Sequence, residues 1–315
     1  MRVLVTGGAG FIGSHVVERL LAAGDEVAVL DNLSTGRREN VPSAVRFFHV
    51  DVRDREATRK ALVDFRPDAV NHQAAQASVV VSVRDPRLDA DVNLIGGLNL
   101  LDACVEAEVE RFVFASTGGA IAGEVAEGDW AREDVLPKPI SAYAIHKLAL
   151  EQHLAVYRAQ RGLKYSILRY SNVYGPRQDP HGEAGVIAIF LDSALAGRTL
   201  YVNALHAEGD PGCLRDYVYA TDVARMNELA LRGAVAEPVA NVCTGIGTST
   251  RDLALVVLRA TGRTVPIESR PPRAGDIGLS VLDPSLPERY LGDLIGLEQG
   301  LASTAEWALG RRSAS

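Results

Sequence analysis

Apolar residues in this chain fall into two alternating patterns. Short β-branched runs, closed by Gly, Asp, Asn or Ser, are followed by stretches in which apolar positions recur every three to four residues. The runs Val3–Thr6, Val27–Asp31, Val45–Val50, Ala69–His72, Phe112–Ser116 and Tyr165–Tyr170 predict strands. Phe11–Ala23, Glu56–Asp64, Val92–Glu106 and Tyr143–Arg161 predict amphipathic helices between them. Strand and helix in strict alternation predict an α/β architecture, a doubly wound parallel sheet of Rossmann type with helices on both faces. After Tyr170 the rhythm loosens, and prolines and glycines thicken at Gly175-Pro176, Asp179-Pro180, Pro211-Gly212 and Pro271-Pro272. Thr221–Arg232 and Val239–Cys243 then resume as a helix and a strand of the first sheet. The expected organisation is a larger unit over residues 1–170, rejoined by 218–245, interleaved with a smaller C-terminal unit over 171–217 and 246–315.

Composition narrows the function classes. The chain has 315 residues, 47% hydrophobic and 23% charged, which excludes wholesale disorder. Its net charge is −7 and no Lys/Arg run marks a nucleic-acid footprint, so no nucleic-acid partner is expected. Cys104, Cys213 and Cys243 stand far apart, making neither a disulfide framework nor a zinc site; no metal is expected, and the setting they suit is the reducing cytoplasm. The strand-like Val3-Leu4-Val5 begins at once, so no signal peptide is expected. The apolar runs are too short and too interrupted to span a bilayer.

The first strand runs into Thr6-Gly7-Gly8-Ala9-Gly10-Phe11-Ile12-Gly13-Ser14, a G-x-x-G-x-x-G turn between a strand and a helix. Gly7 suits the tight turn, Gly10 a close backbone approach to a pyrophosphate, and Gly13 close packing of the helix. The N–H groups of the helix opening at Phe11 and Ile12, with the positive end of its dipole, suit the phosphates themselves. Asp31 ends the next strand 18 residues after Gly13, in place to accept from adenine-ribose hydroxyls and to repel a 2′-phosphate. The pattern predicts NAD as cofactor, although Arg37 and Arg38 lie close enough to bear on the choice against NADP. Asp51-Val52, after the third strand, fits either a contact to the adenine or an Asp capping a turn.

Tyr143 and Lys147 are four apart and share one face of their helix. An ammonium beside a phenol favours the phenolate, which makes the tyrosine a candidate acid–base group. Ser116-Thr117 ends the fifth strand at its carboxyl end, the ligand side of such a sheet, where the Thr117 hydroxyl can bridge a substrate hydroxyl and the tyrosine.

On these residues the chain resembles the extended short-chain dehydrogenases/reductases, within them the nucleotide-sugar epimerase group, and is most similar to the UDP-glucose (UDP-galactose) 4-epimerases. The likeness takes in Gly7–Gly13, Asp31-Asn32-Leu33-Ser34-Thr35-Gly36, Ala74-Ala75-Gln76, Asn93, Ser116-Thr117 and Tyr143/Lys147. It continues through Leu168–Pro176, Arg215-Asp216-Tyr217-Val218 and Arg273-Ala274-Gly275-Asp276, and so covers essentially the whole chain. The resemblance implies that NAD is held by the glycine turn, Asp31, Asn32, Ser34, Thr35, Gly36, Asp51, Val52, Ala74, Ala75, Gln76, Asn93, Tyr143, Lys147 and Tyr170. It implies that Tyr143 is base and acid at a sugar 4-hydroxyl, that Thr117 orients that hydroxyl, and that Lys147 holds the nicotinamide ribose. Asn172 would meet the sugar diphosphate, Arg215 and Arg273 neutralise it, and Asp276 lie near the nucleotide ribose. An arginine fork suits phosphate oxygens on its own chemistry.

The activity so implied is 4-epimerisation of a UDP-hexose through a transient 4-keto sugar. Other enzymes of the same group (dehydratase, decarboxylase, reductase) are the alternative, and a non-catalytic NAD-sensing protein a more distant one. Dehydratases of the group carry Asp-Glu after the threonine, where this chain has Gly118-Gly119. Three positions depart from the group's usual pattern: Ala122 replaces a tyrosine, Ala142 a frequent proline, and His146 a serine before the lysine. Ala122 suggests a roomier pocket, and His146 is expected to point away from the Lys147 face. Ser280, four residues after Asp276, stands where a tyrosine would narrow the sugar pocket; its smallness implies room for N-acetylated sugars, unless it is merely a loop residue. The resemblance also implies a homodimer. Leu94, Leu98, Leu101, Leu148 and Leu154 fit either its interface or the core.

Overall fold

The structure is a computed structural model that describes residues 1–181, 185–273 and 277–314. The chain begins β1 (Arg2–Thr6), α1 (Phe11–Ala22), β2 (Glu26–Asp31), β3 (Arg46–His49), α2 (Arg55–Phe65) and β4 (Ala69–His72). Two short helices follow, α3 (Val79–Arg84) and α4 (Pro86–Ala90). A π-turn at Asp91–Ile95 leads without a break into α5 (Gly96–Glu106). Then come β5 (Arg111–Thr117), α6 (Gly119–Ala122), α7 (Ala142–Arg161), β6 (Lys164–Tyr170) and β7 (Asn172–Tyr174). The remainder is α8 (Val186–Leu195), β8 (Leu200–Asn203), β9 (Leu214–Tyr219), α9 (Ala220–Leu231), β10 (Val239–Val242), β11 (Gly247–Ser249), α10 (Thr250–Thr261), β12 (Ile267–Arg270), β13 (Leu279–Ser280), α11 (Ser285–Leu291) and α12 (Leu297–Ala314).

Seven parallel strands form the main sheet in the order β10-β6-β5-β4-β1-β2-β3. The strand order reverses between β1 and β4, and such a switch point opens a crevice at the carboxyl ends of the strands. Near-continuous apolar strands such as Val3-Leu4-Val5 are buried on both faces. On one face Val16, Val17 and Leu20 of α1 pack with Val223, Met226 and Ala230 of α9. On the other, Leu62 and Phe65 of α2 pack with Leu100, Leu101, Cys104, Leu150 and Leu154.

A second, smaller sheet is centred on β9, with β13 and β11 beside it and β7 pairing it as well; β8 and β12 make a separate parallel pair. Its core joins Phe190 and Leu191 to Leu253, Val257 and Leu301. Strand β9 leads straight into α9, so the two sheets share one continuous segment.

The strand–helix alternation matches the expected elements to within a residue or two at most ends. The helix expected from Val92 extends back as helical backbone to Pro86, because Asp85 caps its start through Leu88 N–H and Pro86 occupies its first turn. Of the leucine stripe, Leu101 and Leu154 are fully buried, while Leu94 and Leu98 pack half-buried against the same cluster, so these four belong to the core. Ala122 is also buried, packed with Ala131, Cys243 and Leu282. No helix among the described residues is long and apolar enough to cross a membrane.

Candidate active site

The crevice at the switch point is a cleft of about 480 Å³. Its floor is the glycine turn. Gly7 has φ +66°, and a Cβ there would come within 2.6 Å of Ala74 N, so the turn and the loop after β4 touch backbone to backbone. A Cβ on Gly13 would collide with the Gly7 carbonyl oxygen, so the helix can start close to the turn only with glycine at this position. Gly10 is the N-cap, extended and without a side-chain cap, which leaves the first N–H groups of α1 facing the cleft.

Asp31 lies at the far wall, its carboxylate accepting from Ala9 N–H at 3.0 Å and Leu33 N–H at 2.8 Å. Leu33 takes φ +58° to aim that N–H. Burial pushes the Asp31 carboxyl up, while the two N–H bonds act the other way. The two nearby arginines turn elsewhere. Arg37 pairs with Asp179 at 3.1 Å, and Arg38 lies over the Phe47 ring while donating to the Val41 carbonyl. With the Arg37 and Arg38 guanidinium groups so engaged, the site fits a ribose diol rather than a 2′-phosphate.

Asp51 lies just after β3. It lines the cleft, and it closes a turn by accepting from Arg53 N–H at 2.9 Å, with Asn32 Nδ2 donating to it at 2.8 Å. The Arg53 guanidinium holds its carboxyl well below the usual carboxylate range.

Tyr143 and Lys147 open into the same cleft from α7. Lys147 is buried; its Nζ donates to the Ala115 carbonyl at 2.9 Å, lies 4.8 Å from the centre of the Phe114 ring and 5.8 Å from that of Tyr143. Its charge adds to burial in holding His72 down at about 3, so that imidazole is neutral. Tyr170 is pushed up to about 12 by burial, and its hydroxyl is bonded by Gln73 and Asn227.

Of the residues expected at the cofactor, Phe11, Ile12, Asn32, Ser34, Thr35, Gly36, Val52, Ala74, Ala75 and Tyr170 also border the cleft. Gln76 and Asn93 do not. Their polar groups are used on each other and on the loop, with Gln76 N–H donating to Asn93 Oδ1 at 3.0 Å and Asn93 Nδ2 to the Gln76 carbonyl at 2.8 Å. They brace the wall from behind. The cleft also has lining residues that sequence reasoning missed, among them Gln73, Arg177, Gln178 and Asp179. Arg177 and its neighbours follow Gly175-Pro176 in a loop that returns over α1, and no local sequence pattern announces that return. Arg177 donates to His15 Nδ1 and Glu18, with His15 Nε2 at 2.9 Å from the Pro176 carbonyl. Burial chiefly, and then Arg177, lowers His15 to about 4.

Thr117 ends β5 opposite Tyr170. The chain beyond it is pressed onto β13: a Cβ on Gly118 would strike Leu282, and one on Gly119 would strike Ser280 Oγ. Ser280 is buried and pairs in register with Arg215 of β9, while Asn172 pairs with Tyr217 of the same strand. Thr117, Ser280, Arg215 and Asn172 are thus brought to one side of the molecule through β9 and β13. Asn172 Nδ2 donates to the Asp216 carbonyl at 3.0 Å. The Arg215 guanidinium donates to the carbonyls of Leu214, Gly278 and Ile277. Arg273 is exposed, and Asp276 lies outside the described residues. His146 points to Asp89 of α4, away from Lys147, with Nδ1 at 2.6 Å from Oδ1.

Residues 3–243 match the family described as "NAD dependent epimerase/dehydratase family". The chain is 43% identical over 314 residues to a UDP-glucose 4-epimerase of Mycolicibacterium smegmatis, covering 98% of each. It superposes on the crystal structure of Thermus thermophilus UDP-glucose 4-epimerase in complex with NAD with a TM-score of 0.94 and 55% identity, covering 98% of this chain and 99% of that one. The Thermotoga maritima UDP-glucose 4-epimerase structure with UDP-glucose matches with a TM-score of 0.90 and 42% identity over 100% of both chains.

Proposed function

Because the chain belongs to the NAD-dependent epimerase/dehydratase family, we propose that it interconverts UDP-glucose and UDP-galactose by epimerisation at C4 through a transient 4-keto sugar. The observation that carries this reading is the opening of Tyr143 and Lys147 into the same cleft as the glycine turn and Asp31. Bound NAD supplies the redox chemistry at the sugar C4. Tyr143 takes the proton from the 4-hydroxyl and later returns it. Lys147 favours its phenolate electrostatically and holds the nicotinamide ribose. Thr117 orients the hydroxyl. Asn172, Arg215 and Arg273 anchor the sugar diphosphate, with Asp276 near the nucleotide ribose, while the keto sugar turns about its link to the diphosphate. Strong contacts to the nucleotide and loose ones to the sugar allow both faces of C4 to be presented.

The packing after Thr117 supports epimerisation over dehydration. Gly118 and Gly119 supply neither the acid nor the base of the Asp-Glu pair that drives loss of water in the dehydratases, and both pack closely on Leu282 and Ser280. The smallness of Ser280 supports acceptance of UDP-N-acetylglucosamine and UDP-N-acetylgalactosamine as well. A homodimer in the reducing cytoplasm completes the proposal. It is supported by the exposed apolar side chains of Val79, Val80, Val83, Ile95 and Ile145 on α3, the π-turn and α7. Light scattering is expected to give twice the chain mass. Product analysis with a panel of UDP-, GDP- and dTDP-hexoses tests the reaction. Conversion of UDP-galactose to UDP-glucose supports it, and a 4-keto-6-deoxy product overturns it.

A further inference from the structure

Helix α7 is joined to the cofactor loop by a buried side-chain chain that the reaction scheme above does not use. His146, between Tyr143 and Lys147 in sequence, meets Asp89 Oδ1 with its Nδ1 at 2.6 Å. Asp89 is fully buried, and its other oxygen accepts from Gln76 Nε2 at 2.7 Å. Gln76 closes the Ala74-Ala75-Gln76 loop, whose Ala74 and Ala75 line the cleft. At the other end of that loop Ala74 N–H donates to Thr6 Oγ1 at 3.2 Å. Asn93 fixes the Gln76 backbone from behind through two bonds. One carboxylate therefore sets the distance between the loop that borders the cofactor and the helix that carries Tyr143 and Lys147.

Resting on the epimerase reading, we propose that His146 is a positioning residue that, through Asp89 and Gln76, registers the cofactor loop against the Tyr143–Lys147 face of α7. The geometry needs a side chain of this reach. The imidazole of His146 crosses from α7 to α4, a span that the short hydroxyl of a serine at this position would leave open. Asp89 would then keep a buried oxygen without its donor, which is costly and is relieved by movement of the side chain that also holds Gln76. Reacting groups displaced by about 1 Å lose on the order of 10²-fold in rate, so a small slip of the loop would be felt in turnover.

The test uses full-length His146→Ala, His146→Asn and Asp89→Asn. In His146→Asn the amide nitrogen takes the place of Nδ1 and restores the donor to Asp89. Asp89→Asn leaves one acceptor oxygen where the carboxylate had two, so His146 and Gln76 can no longer both donate to it. The expected result is about tenfold weaker NAD binding by calorimetry on NAD-depleted protein, with a fall in kcat and little change in KM for UDP-galactose, for both His146→Ala and Asp89→Asn. His146→Asn is expected to recover most of both losses. A merely structural role would lower the melting temperature and leave NAD affinity and kcat unchanged, and that result would overturn the proposal. So would an Asp89→Asn protein that binds NAD as the wild type does, which decides the matter even where His146→Ala does not fold. The NAD arm needs no sugar, so it stands or falls independently of whether UDP-galactose is turned over.

Discussion

The Glu151 carboxylate and the Arg169 guanidinium meet in two hydrogen bonds, at 3.0 and 2.7 Å, one helical turn along α7 from Lys147. Both side chains are buried, and Ser116 Oγ donates to the same carboxylate at 2.6 Å. The pair locks α7 to β5 and β6 next to Thr117. Removing one partner leaves a buried charge unmatched, so Glu151→Ala is expected to destabilise the fold by about 3–5 kcal/mol. Urea unfolding measures this. A loss below about 1 kcal/mol, in the range of an exposed pair, would show that the pair does not hold the helix.

Tyr143→Phe removes the hydroxyl and keeps the ring. Turnover is expected to fall on the order of 10²–10⁴-fold while NAD affinity stays near the wild-type value. A variant that keeps most of its activity would take the acid–base role away from Tyr143.

Acidification should weaken the fold before any ordinary carboxylate titrates. His15 and His72 are held down at about 4 and about 3 by burial, with Arg177 and Lys147 as second causes. Below the ordinary histidine value of about 6.5, the unfolded chain takes up protons that the folded chain refuses. Stability therefore declines as pH falls through this range, by up to about 1.4 kcal/mol per pH unit for each histidine. Between about pH 6.5 and about pH 5 these histidines take up protons in the unfolded chain while carboxylates of ordinary pKa stay ionised. His15→Gln should flatten the decline, and an unaltered slope in both His15→Gln and His72→Asn would refute the assignment.

Ser280 offers a test of sugar choice. A tyrosine there is expected to exclude the acetamido group, so Ser280→Tyr should lose turnover of UDP-N-acetylglucosamine selectively and keep that of UDP-glucose. Equal loss of both would mean that the ring displaces Gly119, which Ser280 already touches, and that the residue is no gate.

The sheet was legible because β-branched runs and amphipathic stretches alternate from Val3 to Tyr170, and the glycine turn with Asp31 fixed one end of the cleft in advance. What escaped were contacts made across long sequence separations. Arg177 reaches His15 over 162 positions, and Gln73 shares its hydrogen bonds with Tyr170, 97 positions away. Periodicity cannot express such pairings. Gln76 and Asn93 show a different gap: a motif does not say whether an amide faces the ligand or the neighbouring backbone. The leucines of α5 and α7 were ambiguous for a related reason, since one apolar stripe serves a core and an interface alike.

On the proposed mechanism C4 is oxidised and reduced within one site, with Tyr143 as its acid–base group. UDP-galactose carrying deuterium at C4, incubated with the purified protein and NAD, reads this directly by NMR. The expected product is UDP-glucose that retains deuterium at C4. Exchange of that deuterium for solvent hydrogen, or the absence of UDP-glucose, would overturn the proposed mechanism.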